Sequence, residues 1–283
     1  MPSKPGPSVR QRRVARTLRQ WRTDRGLKLD DVVRQFGWSE SKLSRFERAE
    51  VNAGPSDIIA LATILGVDEA TRDKTVRLAV AARGQDQWGP YSAESLRGDF
   101  RGFVEDEAEA TEVCNVETTL ITGLLQTGAY ADAILRSAID FGDDVIDERR
   151  RLRQQRQARL TRTDEPLHLH AIVYEHALRL PIGDAGVMRA QLDHLIASAD
   201  MPNVTIQVIP AEVGAYSGIG TSYHLVSFES AAPSAVYLEN LVAGFYIEDE
   251  EDVAAYKLNF GRLRDLALDP ASSVGFIADI RGS

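Results

Sequence analysis

The sequence predicts a multi-domain protein: an all-α head of five short helices, then an α+β body with an antiparallel or mixed sheet. Three observations carry this. Up to about residue 83 the apolar residues recur at helical spacings, whereas beyond residue 112 short alternating runs interrupt the helical ones. At 283 residues the chain is long enough to bury two separate cores. The charge is split as well. Residues 1–50 hold thirteen lysines and arginines against six acids, a balance of +7 in a chain of net charge −9, which leaves −16 for the remainder. A basic head on an acidic body implies that only the head meets a polyanion.

Residues 1–8, with three prolines and a glycine, are expected to be disordered. A first helix from about Val9 to Asp24 carries Val14, Leu18 and Trp21 at i, i+4 and i+7, and Gly26 stops it. In the second, Leu29, Val32, Val33 and Phe36 fall at i, i+3, i+4 and i+7. Gly37 separates it from a third helix that Ser39 can cap, with Leu43 and Phe46 on one side. Its other residues, Glu40, Ser41, Lys42, Ser44 and Arg45, are all polar. A short helix that buries two apolar residues and turns hydrogen-bonding groups outward suits a DNA major groove. The same pattern fits a plain helical hairpin with a solvated face; its coincidence with the basic run favours DNA. After a polar loop from Glu50 to Pro55, Ser56 can cap a fourth helix with Ile58, Leu61, Ala62 and Leu65 inward and Gly66 at its end. Asp68 or Thr71 opens a fifth helix through Val76, Ala79 and Ala82, ending near Gly84.

These five helices resemble the lambda-repressor-like helix-turn-helix domain of the Xre family of transcription regulators. The residues that carry the resemblance are Leu18, Arg22, Gly26, Leu27, Val32, Phe36, Gly37, Leu43, Ser44, Arg45, Glu47, Pro55 and the run from Leu61 to Val67. It implies a recognition helix in which Glu40, Ser41, Lys42 and Arg45 face bases, Lys42 standing near the groove wall. Arg19, Lys28 and Ser44 would touch phosphates, and Lys42 can serve either role. It also implies a partly buried ion pair between Arg22 and Glu47. The family often starts its second helix with Thr or Ser and then Gln; here Lys28 and Leu29 stand there, so the glutamine contact to phosphate is lost.

Residues 84–95, with Gly84, Trp88, Gly89, Pro90 and Tyr91, read as an interdomain connection between a head at 9–83 and a body at 96–283. In the body, helices are expected at Asp99 to Ala110, from about Tyr130 through Leu135, at Asp147 to Thr161, at Val187 to Ala199, at Val253 to Leu268 and at Ser272 to Ile280. Strands are expected at Glu112 to Thr118, Leu167 to Tyr174, Val204 to Ile209, Ser222 to Phe228, Ala235 to Leu238 and Phe245 to Ile247. The six arginines between 149 and 159 read as a solvated helix face paired with the acidic body rather than a second nucleic-acid patch.

The body resembles the DUF5753 domain, which follows an Xre-type head in many actinobacterial regulators. The resemblance rests on Gly123-Leu124-Leu125-Gln126-Thr127 with Tyr130-Ala131, on Glu175-His176-Ala177-Leu178-Arg179, on Met188-Arg189-Ala190-Gln191-Leu192, on Pro202-Asn203-Val204 and on Val236-Tyr237-Leu238-Glu239. Family members usually have Pro before the Gly-Leu-Leu-Gln-Thr run, where this chain has Thr122. The resemblance implies an antitoxin-like regulator of DNA, often paired with a small DUF397-type protein. Expected partners are therefore double-stranded DNA, a second copy of the chain in a homodimer, and either a small-molecule effector or the DUF397-type protein. The alternative is an interaction protein whose body sequesters that small partner, with DNA binding secondary.

No P-loop, dinucleotide fingerprint or Gly-x-Ser-x-Gly elbow occurs, so no enzyme activity and no cofactor are expected. His168 and His170 share a strand face and with Glu175 can hold a metal, but a pair of exposed or hydrogen-bonded strand histidines is the simpler reading. The carboxylate run Glu248 to Asp252 lacks EF-hand spacing and reads as a helix start. With one cysteine, Cys114, and no apolar run of membrane length, the expected home is a reducing cytoplasm.

Overall fold

A computed structural model describes residues 9–34, 37–82, 91–92, 94–96, 99–137, 141–228, 234–240 and 244–282. They fall into two compact units, 9–82 and 91–282, each described by itself below. The expectations for residues 1–8, for Phe36 and for most of the connection at 84–95 lie outside the described residues.

The head is helical: α1 (Val9–Thr23), α2 (Leu29–Val33), α3 (Glu40–Glu47), α4 (Pro55–Ile64) and α5 (Glu69–Ala81). Its core is the set of apolar residues at helical spacing. Leu18, Val32, Leu43, Ile58 and Leu61 are almost fully buried, with Val14, Trp21, Val33, Phe46 and Leu65 around them. One detail differs from expectation. Ser56 does not cap α4: the helix begins at Pro55, whose missing N–H costs nothing in the first turn, behind Gly54 as N-cap. The Asp57 carboxylate accepts from the Gly54 N–H at 3.1 Å and closes that end. α2 spans Leu29–Val33, and the Arg34 N–H still donates to the Asp30 carbonyl at 3.2 Å.

The body is a six-stranded mixed sheet with helices on both faces. Its strands are β1 (Glu112–Glu117), β2 (His168–Tyr174), β3 (Val204–Ile209), β4 (Tyr223–Ser227), β5 (Ala235–Glu239) and β6 (Gly244–Ile247), in spatial order β3-β2-β1-β4-β5-β6. β1, β2 and β3 pair in parallel, and β4, β5 and β6 extend the other side antiparallel. The parallel half requires crossovers, and the chain supplies them as helices. A 3₁₀ turn at Gly123–Leu125, α7 (Gly128–Ser137) and α8 (Asp143–Gln157) join β1 to β2; α9 (Glu175–Arg179) and α10 (Ala185–Ser198) join β2 to β3. Around these lie α6 (Asp99–Glu109), α11 (Glu250–Leu266) and α12 (Pro270–Gly282).

Alternation along each strand separates two cores. Val113, Ala171, Val173, Ile206, Val208 and Val226 pack with Phe103, Leu124, Leu125, Leu195 and Ile277. On the opposite face Cys114, Val116, Ile172 and Leu225 pack with Val253, Phe260 and Leu263 of α11. The arginines of α8 pair with acids of the body as expected, but the face is not solvated throughout, which is a second correction. Arg156 is buried and makes a bidentate pair with Glu107 at 2.6 and 2.8 Å, and Arg150 pairs with Asp132 at 2.8 Å. With only Ile146 and Leu152 buried as apolar groups, α8 docks through guanidinium–carboxylate pairs as well as through packing.

The Gly-Leu-Leu-Gln-Thr run is a hydrogen-bonding hub. Gln157 of α8 donates to the carbonyls of Gly123 and Gln126 at 2.9 and 2.7 Å. Gln191 of α10 donates to the Leu125 carbonyl at 2.7 Å and accepts from the Thr127 N–H at 2.7 Å. Thr122 has φ −54°, the angle a proline imposes, so the turn is kept without one.

The histidines and acids weighed for metal binding do not converge. His168 is exposed; His170 hydrogen-bonds Gln207 at 2.7 Å and meets the Phe260 ring edge-on. Glu175 accepts from Arg179 at 2.6 Å and from the Ala211 N–H at 2.8 Å. Asp249 caps α11, the helix start expected of the acidic run. Among the described residues no group of three or more His, Cys, Asp or Glu side chains is placed to hold a metal.

Candidate nucleic-acid interface

The geometry of the head follows from α3. Gly37 takes φ +63° in the turn before it, a backbone state that side chains resist. Ser39 then caps the helix, its hydroxyl accepting from the Lys42 N–H at 3.2 Å. Leu43 and Phe46 turn into the core, and Trp38 packs edge-on against Phe46 with ring centroids 5.9 Å apart. Because these side chains fix the roll of the helix, Glu40, Ser41 and Arg45 face solvent. None of these three, nor Ser44, has a side-chain hydrogen bond or ion pair among the described residues, so their polar groups are available to a partner.

Two of the residues singled out from sequence form a clamp. Arg22 of α1 grips Glu47, at the end of α3, through Nε–Oε1 and Nη2–Oε2, both 2.7 Å. Its remaining nitrogen, Nη1, donates to the Leu27 carbonyl at 2.7 Å, tying in the α1–α2 turn. The side chains are 12% and 5% exposed, so the pair is nearly dry. The Glu47 hydrogen bonds hold the guanidinium protonated even more firmly than usual, against the opposing effect of burial.

The remaining positions divide. Arg19 and Lys28 are exposed, and neither side chain is engaged among the described residues. Lys28 is the N-cap of α2; its N–H donates to Asp31 at 2.8 Å, while its own side chain leaves the first turn of α2 uncapped. Lys42 stands apart from the solvent-facing row. Its ammonium is 2.8 Å from Asp57 and 4.1 Å from the centre of the Trp38 ring, so it braces α3 against α4. Arg48 was not singled out from sequence. It lies at i+7 from Ser41 and i+4 from Ser44, on the same exposed arc, and its guanidinium meets Glu50 at 3.2 Å. Helical spacing could have found it, but it falls just beyond the last residue of α3.

The end of α3 is strained. Ala49 has φ +56°, and the Glu50 N–H donates back to the Arg45 carbonyl at 2.9 Å, the pattern in which glycine usually occupies the left-handed position.

A family model described as a helix-turn-helix domain matches residues 13–74, and one described as a domain of unknown function, DUF5753, matches residues 100–279. Neither a curated protein nor a solved structure matches the chain. No helix among the described residues is long and apolar enough to cross a membrane.

Proposed function

The chain belongs to the DUF5753 family and carries a helix-turn-helix head, and from that premise we propose that it is a cytoplasmic, sequence-specific DNA-binding transcription regulator of the Xre type and not an enzyme. The observation that carries this reading is the row Glu40, Ser41 and Arg45, solvent-facing and unpartnered on a helix fixed by the Arg22–Glu47 clamp. A guanidinium can bind guanine through two hydrogen bonds, and a carboxylate can accept from a cytosine amino group. Arg19, Lys28 and Ser44 supply phosphate contacts around them. Lys42 joins them only by giving up Asp57.

One recognition helix touches few bases, so the reading includes a homodimer on half-sites about one helical turn, roughly 34 Å, apart. The body joins the two copies, because it is the larger unit and the head is small and strongly basic. The body also receives the effector or the small DUF397-type partner. The test is to sequence the DNA that co-purifies with the protein and to titrate it against a scrambled duplex. Preference for the recovered sequence supports the reading, and equal binding to both refutes it. Sedimentation of a monomer both free and on DNA would remove the dimer.

A further inference from the structure

The two faces of the sheet are unequally covered. Helices α6, α7, α9, α10 and α12 contribute to the core on one face. On the other, among the described residues, α11 is the only α-helix that packs. Six strands about 4.8 Å apart make a sheet roughly 24 Å wide, more than one helix about 10 Å across can cover. The large apolar side chains that the described body leaves exposed all belong to this face. Leu258 and Leu266, 58% and 42% exposed, are on α11 itself. Phe245, 52% exposed, is on the edge strand β6; it pairs in register with Leu238 and lies two residues from Ile247, both of this core. Ile219, 63% exposed, is in the loop that Asn259 of α11 holds through the Ser217 carbonyl at 2.9 Å. Apolar side chains gathered on one face mark a surface that another molecule covers.

The sequence of α11 says what kind of molecule. Its inner side buries Val253, Phe260 and Leu263. Its outer side presents Glu251, Ala255, Leu258 and Arg262, all exposed, at steps of four, three and four, the spacing of a seam between two helices. Acids open the helix, with Glu250, Glu251 and Asp252 in its first turn, while Arg262 and Arg264 stand near its end. Asp265, the acid at that end, is already paired with Arg264 at 2.9 Å. Among the described residues the side chains of Glu251 and Arg262 make no hydrogen bond or ion pair. Such a helix matches itself when reversed. The midpoint of Glu251 and Arg262 is also the midpoint of Ala255 and Leu258, between Tyr256 and Lys257. A two-fold axis there sets acid against arginine at both ends and the bulky Leu258 against the small Ala255. Opposite charges matched in this way let an acidic body meet a copy of itself.

We propose that the α11 face is the homodimer interface, with α11 packed antiparallel on α11 of a second copy. Leu258 rests on the partner's Ala255, and Glu251 pairs with the partner's Arg262. The symmetry makes each contact twice. Around the helix pair, Phe245 and Ile219 supply further apolar surface. This interface presupposes the homodimer of the reading above and locates it.

Sedimentation equilibrium of the full chain tests it, on the wild type, Leu258→Asp, Glu251→Arg, Arg262→Glu and the double variant Glu251→Arg/Arg262→Glu. The three positions are exposed, so the fold is kept, and far-ultraviolet circular dichroism checks this. The wild type should be a dimer. Each single variant should raise its dissociation constant by about tenfold or more. The double variant exchanges the two charges and should return to within about threefold of the wild type. Neither misfolding nor a contact elsewhere produces such a recovery. A monomeric wild type would overturn the interface together with the homodimer. A dimer that none of the variants disturbs would overturn the interface alone and leave this face to a different protein. A double variant no tighter than the singles would refute the antiparallel register, and the proposal with it.

Discussion

Glu117 and His224 should hold the stability of the body level across mildly acidic pH by opposing each other, and substituting either should expose the other. Both are nearly enclosed, with side chains 13% and 16% exposed, and His224 Nε2 stands 3.8 Å from Glu117 Oε1. Burial pushes the Glu117 carboxyl up from 4.5 to about 7, helped by Glu239, against hydrogen bonds from Asn115 and Ser222. Burial, with Arg156 nearby, pushes His224 down from 6.5 to about 3. At neutral pH the 3.8 Å contact therefore joins a neutral imidazole to a half-protonated acid and is not an ion pair. Asn115 Nδ2 lies within 3.1–3.4 Å of His224 Nδ1, the Tyr223 carbonyl and Glu117 Oε1, three acceptors for its two hydrogens. For Glu117, whose folded pKa is raised, the stabilising contribution is complete below about 4.5 and is lost as pH climbs through 7. For His224, whose folded pKa is lowered, it is complete above 6.5 and is lost as pH falls towards 3. Each slope is about 1.4 kcal/mol per pH unit, with opposite sign between 4.5 and 6.5. Relative to wild type, Glu117→Gln should gain about 3 kcal/mol of body stability between pH 4.5 and 7. His224→Gln should gain a similar amount, about 3 kcal/mol, as pH falls from 6.5 to 4.5. Urea unfolding measures both. Far-ultraviolet circular dichroism reports the whole chain, while tryptophan fluorescence leaves the body dark, because Trp21, Trp38 and Trp88 all precede residue 90. A Glu117→Gln difference that stays flat from pH 4.5 to 7 would mean that Glu117 is solvated and ionised, and the reasoning would fail.

The head yields further predictions. Arg45→Ala should cost about 1–3 kcal/mol on the specific site and relax preference at one base pair, whereas Lys28→Ala should weaken all DNA alike and lower the salt slope by about one per monomer. Titrations on specific and scrambled duplexes at several salt concentrations separate them, and equal losses for Arg45→Ala on both would make it a phosphate contact. Glu47→Ala strands a nearly dry guanidinium and should destabilise the head by roughly 3 kcal/mol or more; an unchanged tryptophan-fluorescence melt would show the clamp to be idle. Ala49→Gly should relieve the left-handed backbone and stabilise the head by about 0.5–1 kcal/mol, read in the same melt, and a destabilised variant would mean that the Ala49 methyl matters more than its φ.

Much of the fold follows from periodicity. The strands at 112–117, 168–174 and 204–209 are short apolar runs bounded by polar turns, and they are found within a residue or two of where alternation puts them. Pairing direction is harder to read, because β1 through β3 look in sequence like any other strands. What makes them parallel is the helical segments between them, which are plain in the order of elements but hidden when strands are counted before helices. The start of α4 escaped for a local reason: Ser56 is a good N-cap by type, but Pro55 one residue earlier takes the first helical position and moves the cap to Gly54.

The DNA face and the polar cluster of the body differ in legibility for a physical reason. The DNA face is one helix, so a repeat of 3.6 residues is enough to sort Leu43 and Phe46 from Glu40, Ser41 and Arg45. What it missed there is tertiary: Asp57 lies fifteen residues from Lys42, and no local pattern reveals that it takes the ammonium. The polar cluster on the sheet of the body is tertiary throughout. Asn115, Glu117, His224 and Glu239 come from three strands, and Arg156 is buried because it finds Glu107 on another helix. A row of arginines on a helix ordinarily means solvent, and in sequence these six carry no mark of Arg156, which is buried. The local clue was on the strands: β1 reads Glu-Val-Cys-Asn-Val-Glu, with Asn115 at the centre of a run whose neighbours are buried. A polar residue in the middle of a strand buried on both faces is a departure from pattern, and such departures occur where a protein keeps a polar group for use.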